Sequence, residues 1–208
     1  NRDNRMRYTL AKPGDYFWNN SNPGCRLTWN DASDQSNAAI KNFTPNSGTG
    51  YHNQKWASER LVKDNFEGFD YPVIRYAEVL LNYAEACLEL GDEGEAVKYI
   101  NKIRTRAGMP DIPMGVTGAA LVERYRNERK IELAYEQHRY FDIRRWMIAP
   151  DVIKNAQGID IRYPYGGGKQ VYSITEVQER GWKNKSYFLP ILLDEIQKNE
   201  LLIQNPDY

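Results

Sequence analysis

The sequence has few cysteines and histidines, no excess of charge of either sign, and no long apolar run. Its 208 residues include two Cys and two His, and 28 basic side chains balance 28 acidic ones to a formal net charge of zero. Without a basic stripe, the electrostatic footprint of nucleic-acid binding is missing. No apolar run approaches the roughly 20 residues of a membrane span, and no signal sequence is recognisable. We therefore predict neither nucleic-acid binding nor a membrane-spanning helix.

The two cysteines are too few to indicate a redox compartment. Cys25 lies in a polar segment, and Cys87 lies on the inward side of a predicted helix. A disulfide between them requires these regions to touch, and two free thiols are the simpler interpretation. His52 and His138 are isolated and show no Cys/His spacing, so we predict no metal site. No phosphate loop or nucleophile elbow is present, and we predict no cofactor.

What the sequence does contain is aromatic side chains, with fifteen Tyr and five Trp in a hydrophilic chain. Amphipathic aromatic residues favour surfaces that contact a ligand or a partner. Six aromatic residues, Phe among them, are spread along a stretch from Tyr16 to Tyr51 that is otherwise rich in Asn, Ser, Gly and Pro. A loop of this length without its own periodic pattern is uncommon unless it is functional or disordered, and its aromatic content argues against disorder.

Residues 72–108 predict two helices joined by a short turn. In the first helix, apolar residues recur with alternating spacings of three and four along two adjacent lines. One line is Val73, Tyr76, Leu80, Tyr83, Cys87 and Leu90, and the other is Ile74, Ala77, Leu81, Ala84 and Leu88. So broad an apolar surface predicts a core helix with partners on more than one side.

The turn and the second helix have the features of one tetratricopeptide-like unit. Gly91 can adopt the left-handed conformation that ends a helix, and Asp92 can cap the next one. The second helix turns four side chains inward, namely Ala96, Ile100, Ile103 and Ala107. Ala84 and Ala96 are small enough for the two backbones to approach closely. A single hairpin needs neighbours to cover it. No second copy is found, so the neighbours must be flanking helices or a part of the protein outside this chain.

The predicted fold is mainly α, with long irregular loops and a few short strands. We expect one domain, residues 1–208, with a loop-rich aromatic part at 1–70, a helical core at 71–150, and strands, turns and a helix at 151–208. We also expect this domain to be a fragment of a longer protein. The expected helices beyond the hairpin are Ala119–Gln137, continuing or kinking into Arg139–Met147, and Leu193–Asn199. The expected extended segments are Met6–Leu10, Gln54–Leu61 with Trp56 inward, Gly158–Tyr165, Gln170–Ile174 and Trp182–Leu189.

The third predicted helix carries an unusual density of charge. Glu128 and Glu132 lie one turn apart, and Arg129 lies three residues before Glu132, so opposite charges can pair along one ridge. Aromatic residues surround the ridge, so we expect some of these ions to be enclosed and paired with one another or with loop backbone. The cluster is Glu128, Arg129, Glu132, Arg139, Asp142 and Arg145. Two carboxylates could serve as the acid and base of glycoside cleavage, but paired ions explain them more simply. We predict no catalytic residue.

Four segments carry a resemblance to a known family. They are Pro72–Ala86, Ile100–Gly108, Glu128–Trp146 and Phe188–Tyr208. In order and spacing they resemble the carboxy-terminal portion of the SusD/RagB family, the surface glycan-binding lipoproteins of Bacteroidetes outer membranes, over roughly two thirds of the chain. Two departures stand out. Gln137 replaces the Gly that the family commonly has before its His-Arg pair, and Leu192-Leu193 replaces a Pro-polar pair.

The resemblance implies a fold, a partner and a location. It implies tetratricopeptide-like hairpins with an irregular part that holds the ligand, in a non-enzymatic component of nutrient uptake and polysaccharide utilisation. Such proteins cover a SusC-like TonB-dependent outer-membrane transporter and deliver oligosaccharides to it. It further implies that a lipid-bearing amino-terminal Cys, the membrane anchor, and the first helical repeats are absent from this chain. Cys25 is not that cysteine, because it lies inside a loop.

The candidate ligand site lies in the aromatic loop. A sugar presents an apolar C–H face and a rim of hydroxyl groups, so it is held by flat rings together with polar groups that donate and accept hydrogen bonds. The predicted platforms are Tyr16, Trp18 and Trp29, and the predicted polar partners are Asn19, Asn30 and Asp31. The alternative is that these rings only pin the loop to the core. Second choices are Tyr163, Tyr165 and Trp182.

Three functions compete. The favoured one is a glycan-binding component of a SusCD-type uptake system, on the strength of the resemblance. The second is a helical-repeat interaction scaffold of the outer-membrane complex that binds no glycan directly. The third is a glycosidase. Composition and periodicity alone indicate a helical domain with an aromatic-rich loop.

Overall fold

The computed structural model describes residues 3–11, 51–56, 71–162 and 171–208, and this part of the chain is mainly helical. It forms two compact units, of which the first ends at Arg139 and the second begins at Tyr140. The predicted mainly α fold is confirmed. Within these ranges, none of the helices has the length and apolarity that crossing a bilayer requires.

The first unit is built on helices. They are α1 Met6–Thr9, α2 Tyr76–Glu89, α3 Glu93–Arg106 and α4 Gly118–Glu132, and α5 His138–Arg145 crosses the division between the units. Two short strands, β1 Leu10–Ala11 and β2 His52–Asn53, pair antiparallel. The strand predicted at Met6–Leu10 is therefore wrong over most of its length, because α1 occupies it through Thr9. The strand predicted at Gln54–Leu61 is wrong where it is described, because β2 ends at Asn53 and Lys55 and Trp56 form a turn.

The hairpin of α2 and α3 is confirmed, together with the residues predicted to form its turn. Gly91 has φ +78°, the left-handed conformation that favours glycine. The Asp92 side chain accepts a hydrogen bond of 3.1 Å from the Glu95 amide and so caps α3. Ala84 and Ala96 are completely buried, as close approach of the two backbones requires.

The core of the first unit lies between α2, α3 and α4. Its largest fully buried apolar side chains are Leu81, Ile100, Ile103, Leu121 and Tyr125. Cys87 is also buried and carries a free thiol, while Cys25 lies outside the described residues. Burying a Leu or Ile side chain contributes roughly 1.5–3 kcal/mol, so these positions are the main source of the unit's stability.

One prediction for α2 is wrong. The helix begins at Tyr76, not at Pro72, so Val73 and Ile74 precede it and are exposed. Of the two predicted apolar lines, the second contributes Leu81 and Ala84 to the core. The first line is mostly exposed: 71% of Tyr76 and 86% of Leu90 are accessible to solvent. Among the described residues, those of α2 that are buried lie on one face of the helix.

The third predicted helix ends five residues early. α4 stops at Glu132, and Tyr135 and Gln137 then adopt φ values of +62° and +67° before α5 begins at His138. Left-handed residues cannot continue a right-handed helix, so they separate α4 from α5. Gln137, at the position where glycine was expected from the family pattern, has the backbone conformation that suits glycine.

The second unit contains a β-hairpin and short helices. Its elements are α6 Ala149–Val152, β3 Ala156–Arg162, β4 Val171–Gln178, a 3₁₀ helix Asn184–Tyr187 and α7 Leu193–Lys198. β3 and β4 pair antiparallel, with Ile159 opposite Ile174, which confirms the two predicted strands where they are described. The predicted terminal helix is also confirmed and ends one residue early. The extended segment predicted at Trp182–Leu189 is wrong, because the 3₁₀ helix interrupts it.

Candidate functional site

The predicted ligand-binding residues lie outside the described part of the chain. This applies to all six first choices and to two of the second choices. They are Tyr16, Trp18, Asn19, Trp29, Asn30 and Asp31, with Tyr163 and Tyr165. Their roles stay predictions, and the structure instead describes how the chain on either side of residues 12–50 is held.

Trp182, the remaining second choice, packs within the second unit. Its ring lies 4.8 Å from the Tyr187 ring, edge to face, and the Arg144 guanidinium lies 5.2 Å from its centre. Its indole Nε1 is buried and has no hydrogen-bond partner among the described residues. Because that N–H does not reach solvent, it is not available to a sugar hydroxyl. Trp182 therefore fits a packing role better than a ligand platform.

Arg5 holds the segment that precedes residues 12–50. One of its guanidinium nitrogens donates to Glu128 at 2.6 Å and to Glu132 at 2.8 Å, and another donates to Asp3 at 2.6 Å. Glu128 and Glu132 lie on α4 and are 1% and 4% exposed. Two buried carboxylates one helical turn apart thus share one cation from more than a hundred residues away in the sequence.

Lys55 and Trp56 hold the segment that follows residues 12–50. The Lys55 ammonium donates to the carbonyls of Glu132 at 3.2 Å and Ala134 at 2.9 Å, and it also pairs with the Glu136 carboxylate. The Trp56 indole donates to the carbonyl of Tyr135 at 2.6 Å. The last carbonyls of a helix lack partners within the helix and carry partial negative charge, so a cation is favoured there. This segment therefore caps α4.

Three more arginines complete the cluster, which we call the anchor network: Asp3, Arg5, Lys55, Arg75, Arg104, Arg106, Glu128, Glu132 and Glu136. Arg75 donates to both Glu132 at 2.7 Å and Glu136 at 2.6 Å. Arg104 donates to Glu128 at 2.7 Å, and Arg106 donates to Glu132 at 2.6 Å. Each buried carboxylate is matched by at least two cations, which offsets the cost of burying its charge.

The pairing differs from the predicted ridge along one helix. Glu128 and Glu132 pair with cations from α3 and from segments distant in sequence, whereas Arg129 donates to Asn82 of α2 at 2.8 Å. The prediction that some of these ions are enclosed is confirmed, since Glu128, Arg129, Glu132 and Asp142 are buried, and Asp142 pairs with Arg145 of the same cluster at 2.8 Å. Sequence reasoning missed Arg5, Lys55 and Arg75, and no local spacing could have found them.

The electrostatics of the anchor network stabilise ionised carboxylates. Burial alone would raise the pKa of Glu132, but the hydrogen bonds from Arg5 and Arg75 outweigh it and the pKa is lowered. The hydrogen bond from Arg5 likewise lowers the pKa of Asp3. Although burial opposes it, pairing with Asp3, Glu128 and Glu132 raises the pKa of Arg5. A carboxylate held ionised in this way cannot act as a general acid near neutral pH.

The anchor network can therefore fix the segments on both sides of residues 12–50 to one group of buried carboxylates. β1 and β2 add a backbone link, since Leu10 pairs with Asn53 and Ala11 with His52. Nowhere in the described ranges do three or more possible metal ligands gather. The chemical role that the anchor network can play is to position the segment that contains the predicted ligand residues.

Comparison with known proteins finds a matching family model and relatives of similar sequence. The family model described as SusD family matches residues 1–208. Two curated relatives from Formosa agariphila, SusD-like protein P2 and SusD-like protein P25, are each 34% identical, over 148 and 152 residues. These matches cover 67% and 70% of this chain and 26% of each relative. The chain spans about a quarter of the length of the curated relatives that it matches.

Solved structures show the same architecture. A SusD-like protein from Bacteroides fragilis is 31% identical and superposes with a TM-score of 0.74, over the whole of this chain and 39% of that protein. A SusD superfamily protein from Bacteroides vulgatus is 27% identical with a TM-score of 0.55, over 73% of this chain and 30% of that protein. The tetratricopeptide-like interpretation of the hairpin agrees with these neighbours.

Proposed function

Because the chain belongs to the SusD family, we propose that it is the ligand-holding part of a nutrient-binding protein at the surface of the bacterial outer membrane. The ligand is an oligosaccharide or polysaccharide, which is bound and released without cleavage. The residues that contact it are the rings of Tyr16, Trp18 and Trp29, with Asn19, Asn30 and Asp31 around them.

The anchor network is the observation that supports this assignment most directly. Arg5 and Lys55 lie on opposite sides of residues 12–50 in the sequence. Both are held on buried carboxylates, Arg5 on Glu128 of α4 and Lys55 on Glu136 just beyond the end of α4. A binding segment whose ends are fixed loses less conformational freedom when it meets a ligand, so more of the contact energy appears as affinity.

The same network argues against a glycosidase. Cleavage requires one carboxylic acid that stays protonated near neutral pH and a second carboxylate beside the scissile bond. Glu132 has a lowered pKa and is held by three arginines, so it fits neither role. Glu128 is 1% exposed and is held by Arg5 and Arg104. These carboxylates support structure, and we propose that the protein is not an enzyme.

The test is replacement of the predicted platforms in the whole polypeptide that contains this chain. Trp18→Ala and Trp29→Ala should each weaken retention on a panel of immobilised polysaccharides by at least about fivefold, because a stacked ring contributes on the order of 1 kcal/mol. Trp182→Ala is the matched control and should bind normally. Circular dichroism of each variant establishes that the fold is intact.

The outcomes separate the competing functions. Retention that survives both Trp18→Ala and Trp29→Ala would show that the site assignment is wrong. If the unmodified protein binds no polysaccharide, the helical-repeat scaffold is the better hypothesis. Release of reducing ends from a bound glycan would indicate a glycosidase. Co-purification with a SusC-like TonB-dependent transporter tests the proposed partner separately.

A further inference from the structure

Two cations of the second unit lie against exposed aromatic rings. The Arg144 guanidinium lies 3.5 Å from the centre of the Tyr140 ring, and the Lys185 ammonium lies 4.5 Å from the centre of the Tyr208 ring. Tyr140 and Tyr208 are nevertheless 44% and 46% accessible to solvent. Each pair therefore presents a positive charge and a flat apolar surface side by side.

The two pairs lie close together. Arg144 Nε donates to the carbonyl of Ser186 at 3.3 Å, and Lys185 is the residue before Ser186. Phe141 is 64% exposed and extends the apolar surface, since its ring lies 5.1 Å from the Tyr140 ring, edge to face. We call this surface the cationic patch: Tyr140, Phe141, Arg144, Lys185 and Tyr208.

The arginine of the cationic patch is fixed in place but is not neutralised. Arg144 Nη1 donates to the carbonyl of Tyr140 at 2.8 Å, and Nη2 meets no acceptor among the residues that the structure describes. Within the same ranges, neither Arg144 nor Lys185 forms an ion pair with a carboxylate. Asp142, the acidic residue of α5, is buried and pairs with Arg145 at 2.8 Å. The charges of the patch are therefore available to a ligand.

We propose that the cationic patch binds the acid groups of an anionic polysaccharide, in which the sugars carry carboxylate or sulfate. This inference rests on the proposed function, because it names the class of ligand that the binding protein takes. A guanidinium or an ammonium group binds such oxygens through charge-assisted hydrogen bonds. The rings beside the cations can contact the C–H face of the same sugar. A neutral sugar would contact the rings but leave both cations without a partner.

The number of cations favours a saccharide over an anionic membrane surface. Recognition of anionic lipid surfaces generally uses clusters of about four to eight cations, and the cationic patch has two. An acidic polysaccharide repeats its acid group along the chain, so two separate cations can bind two of its sugars. Each cation is paired with its own ring, which suits a ligand that has an apolar face beside every acid group.

The test compares acidic polysaccharides with neutral forms of the same backbone, and it uses the whole polypeptide that contains residues 1–208. Polygalacturonate is paired with its methyl ester, and carrageenan with its desulfated form, so the two arms separate carboxylate from sulfate. At low salt, at least one acidic form should be retained about tenfold more strongly than its neutral form. The preference should largely disappear at about 1 M salt, where the screening length is about 3 Å.

Substitutions locate the preference on the patch. Arg144→Gln and Lys185→Gln should each weaken retention of the acidic form by at least about threefold and leave retention of the neutral form unchanged. Lys154→Gln is the matched control, because it removes one charge from an exposed lysine of the same unit that stacks on none of the described rings. Lys185 lies in the 3₁₀ helix, so Lys185→Gln tests the patch even if Arg144→Gln disturbs α5.

The other outcomes would overturn the inference. Equal retention of acidic and neutral forms would do so and leave the proposed function standing. A preference for the acidic form that persists in both Arg144→Gln and Lys185→Gln would mean that other residues recognise the charge. Binding to phosphatidylglycerol vesicles that these two variants lose would make the patch a membrane contact. If no polysaccharide is retained at all, the proposed function fails and this inference fails with it.

Discussion

Glu132 binds more cations than any other residue of the anchor network. Its carboxylate accepts hydrogen bonds from Arg5 at 2.8 Å, Arg75 at 2.7 Å and Arg106 at 2.6 Å, and its own carbonyl accepts from Lys55. The buried anion therefore ties together three cations that are far apart along the chain, and the carbonyl of the same residue holds a fourth. A buried ion pair adds little net stability compared with apolar packing, but breaking one is costly.

We predict that Glu132→Gln lowers the free energy of unfolding by about 3 kcal/mol. The amide keeps the shape of the side chain but removes the charge that three guanidinium groups share, and two of those groups are largely buried. Urea denaturation measures the change. The control is Glu95→Gln, which removes a surface pair with Lys98 and should have a much smaller effect, because solvent screens an exposed pair. Equal effects of the two variants would contradict a central role for Glu132.

At the scale of elements, the break between α4 and α5 exposes the backbone carbonyls to which Lys55 and Trp56 bind. Because the helix stops at Glu132, the carbonyls of Glu132, Ala134 and Tyr135 are free of helical partners and receive Lys55 and Trp56. A helix that continued through Gln137 into α5 would have used these carbonyls internally. The left-handed residues Tyr135 and Gln137 are thus what makes room for the segment that follows residues 12–50.

We predict that Gln137→Gly raises the free energy of unfolding, whereas Gly91→Ala lowers it. Gln137 has φ +67°, where a side chain is strained, and relief of that strain should exceed the entropy that glycine adds to the unfolded chain by about 0.5 kcal/mol. A Cβ at Gly91 meets no atom within 4 Å, so its cost of about 1 kcal/mol is purely backbone strain at φ +78°. Thermal unfolding of both variants checks the opposite signs.

The matched control for this pair is Gly94→Ala. Gly94 lies in the first turn of α3 with an ordinary φ, and a Cβ there meets only the Asp92 side chain at 3.9 Å. Alanine should therefore stabilise α3 by up to about 1 kcal/mol, as expected for a helix position. A loss of stability at Gly94→Ala would mean that the sign at Gly91 does not report its backbone conformation.

At the scale of the whole molecule, local sequence patterns predicted the helices and strands but not the long-range contacts that join them. The helical period, the glycine at 91 and the acidic cap at 92 act within one or two turns, so the hairpin could be predicted from them. The partners of Glu128 and Glu132 could not, because Arg5 and Arg75 reach them across long stretches of sequence. Exposure of the first apolar line was missed because periodicity shows that a face is apolar, not what covers it.

The candidate site was predictable only in part for a similar reason. The composition of residues 16–51 predicts contact with a ligand, and the family pattern predicts its class. The flanks of this stretch are held by Arg5, Lys55 and Trp56. These are two isolated cations and one ring, and no local sequence pattern marks them. Their role follows from the carbonyls and carboxylates that they meet, which only the folded chain brings together.

We predict that the protein loses stability in acid through the anchor network. The pKa values of Glu132 and Asp3 are lower in the folded state than the ordinary values of 4.5 and 3.8. Their contribution is therefore complete above those ordinary values and is lost as the pH falls through the lowered ones, because the unfolded chain binds protons first. Urea midpoints measured from about pH 7 to about pH 3 should fall, and less steeply in Glu132→Gln. Identical slopes in the two proteins would contradict this account.

The bond between Arg5 and Glu132 also has a consequence for biosynthesis. The two residues are 127 positions apart, so at roughly 5–20 residues per second the guanidinium waits on the order of ten seconds at the ribosome before its carboxylate emerges. Until α4 has been translated, the segments on either side of residues 12–50 lack the buried carboxylates that hold them. The helical scaffold of the nascent chain therefore forms before these contacts to the flanks of residues 12–50 can form.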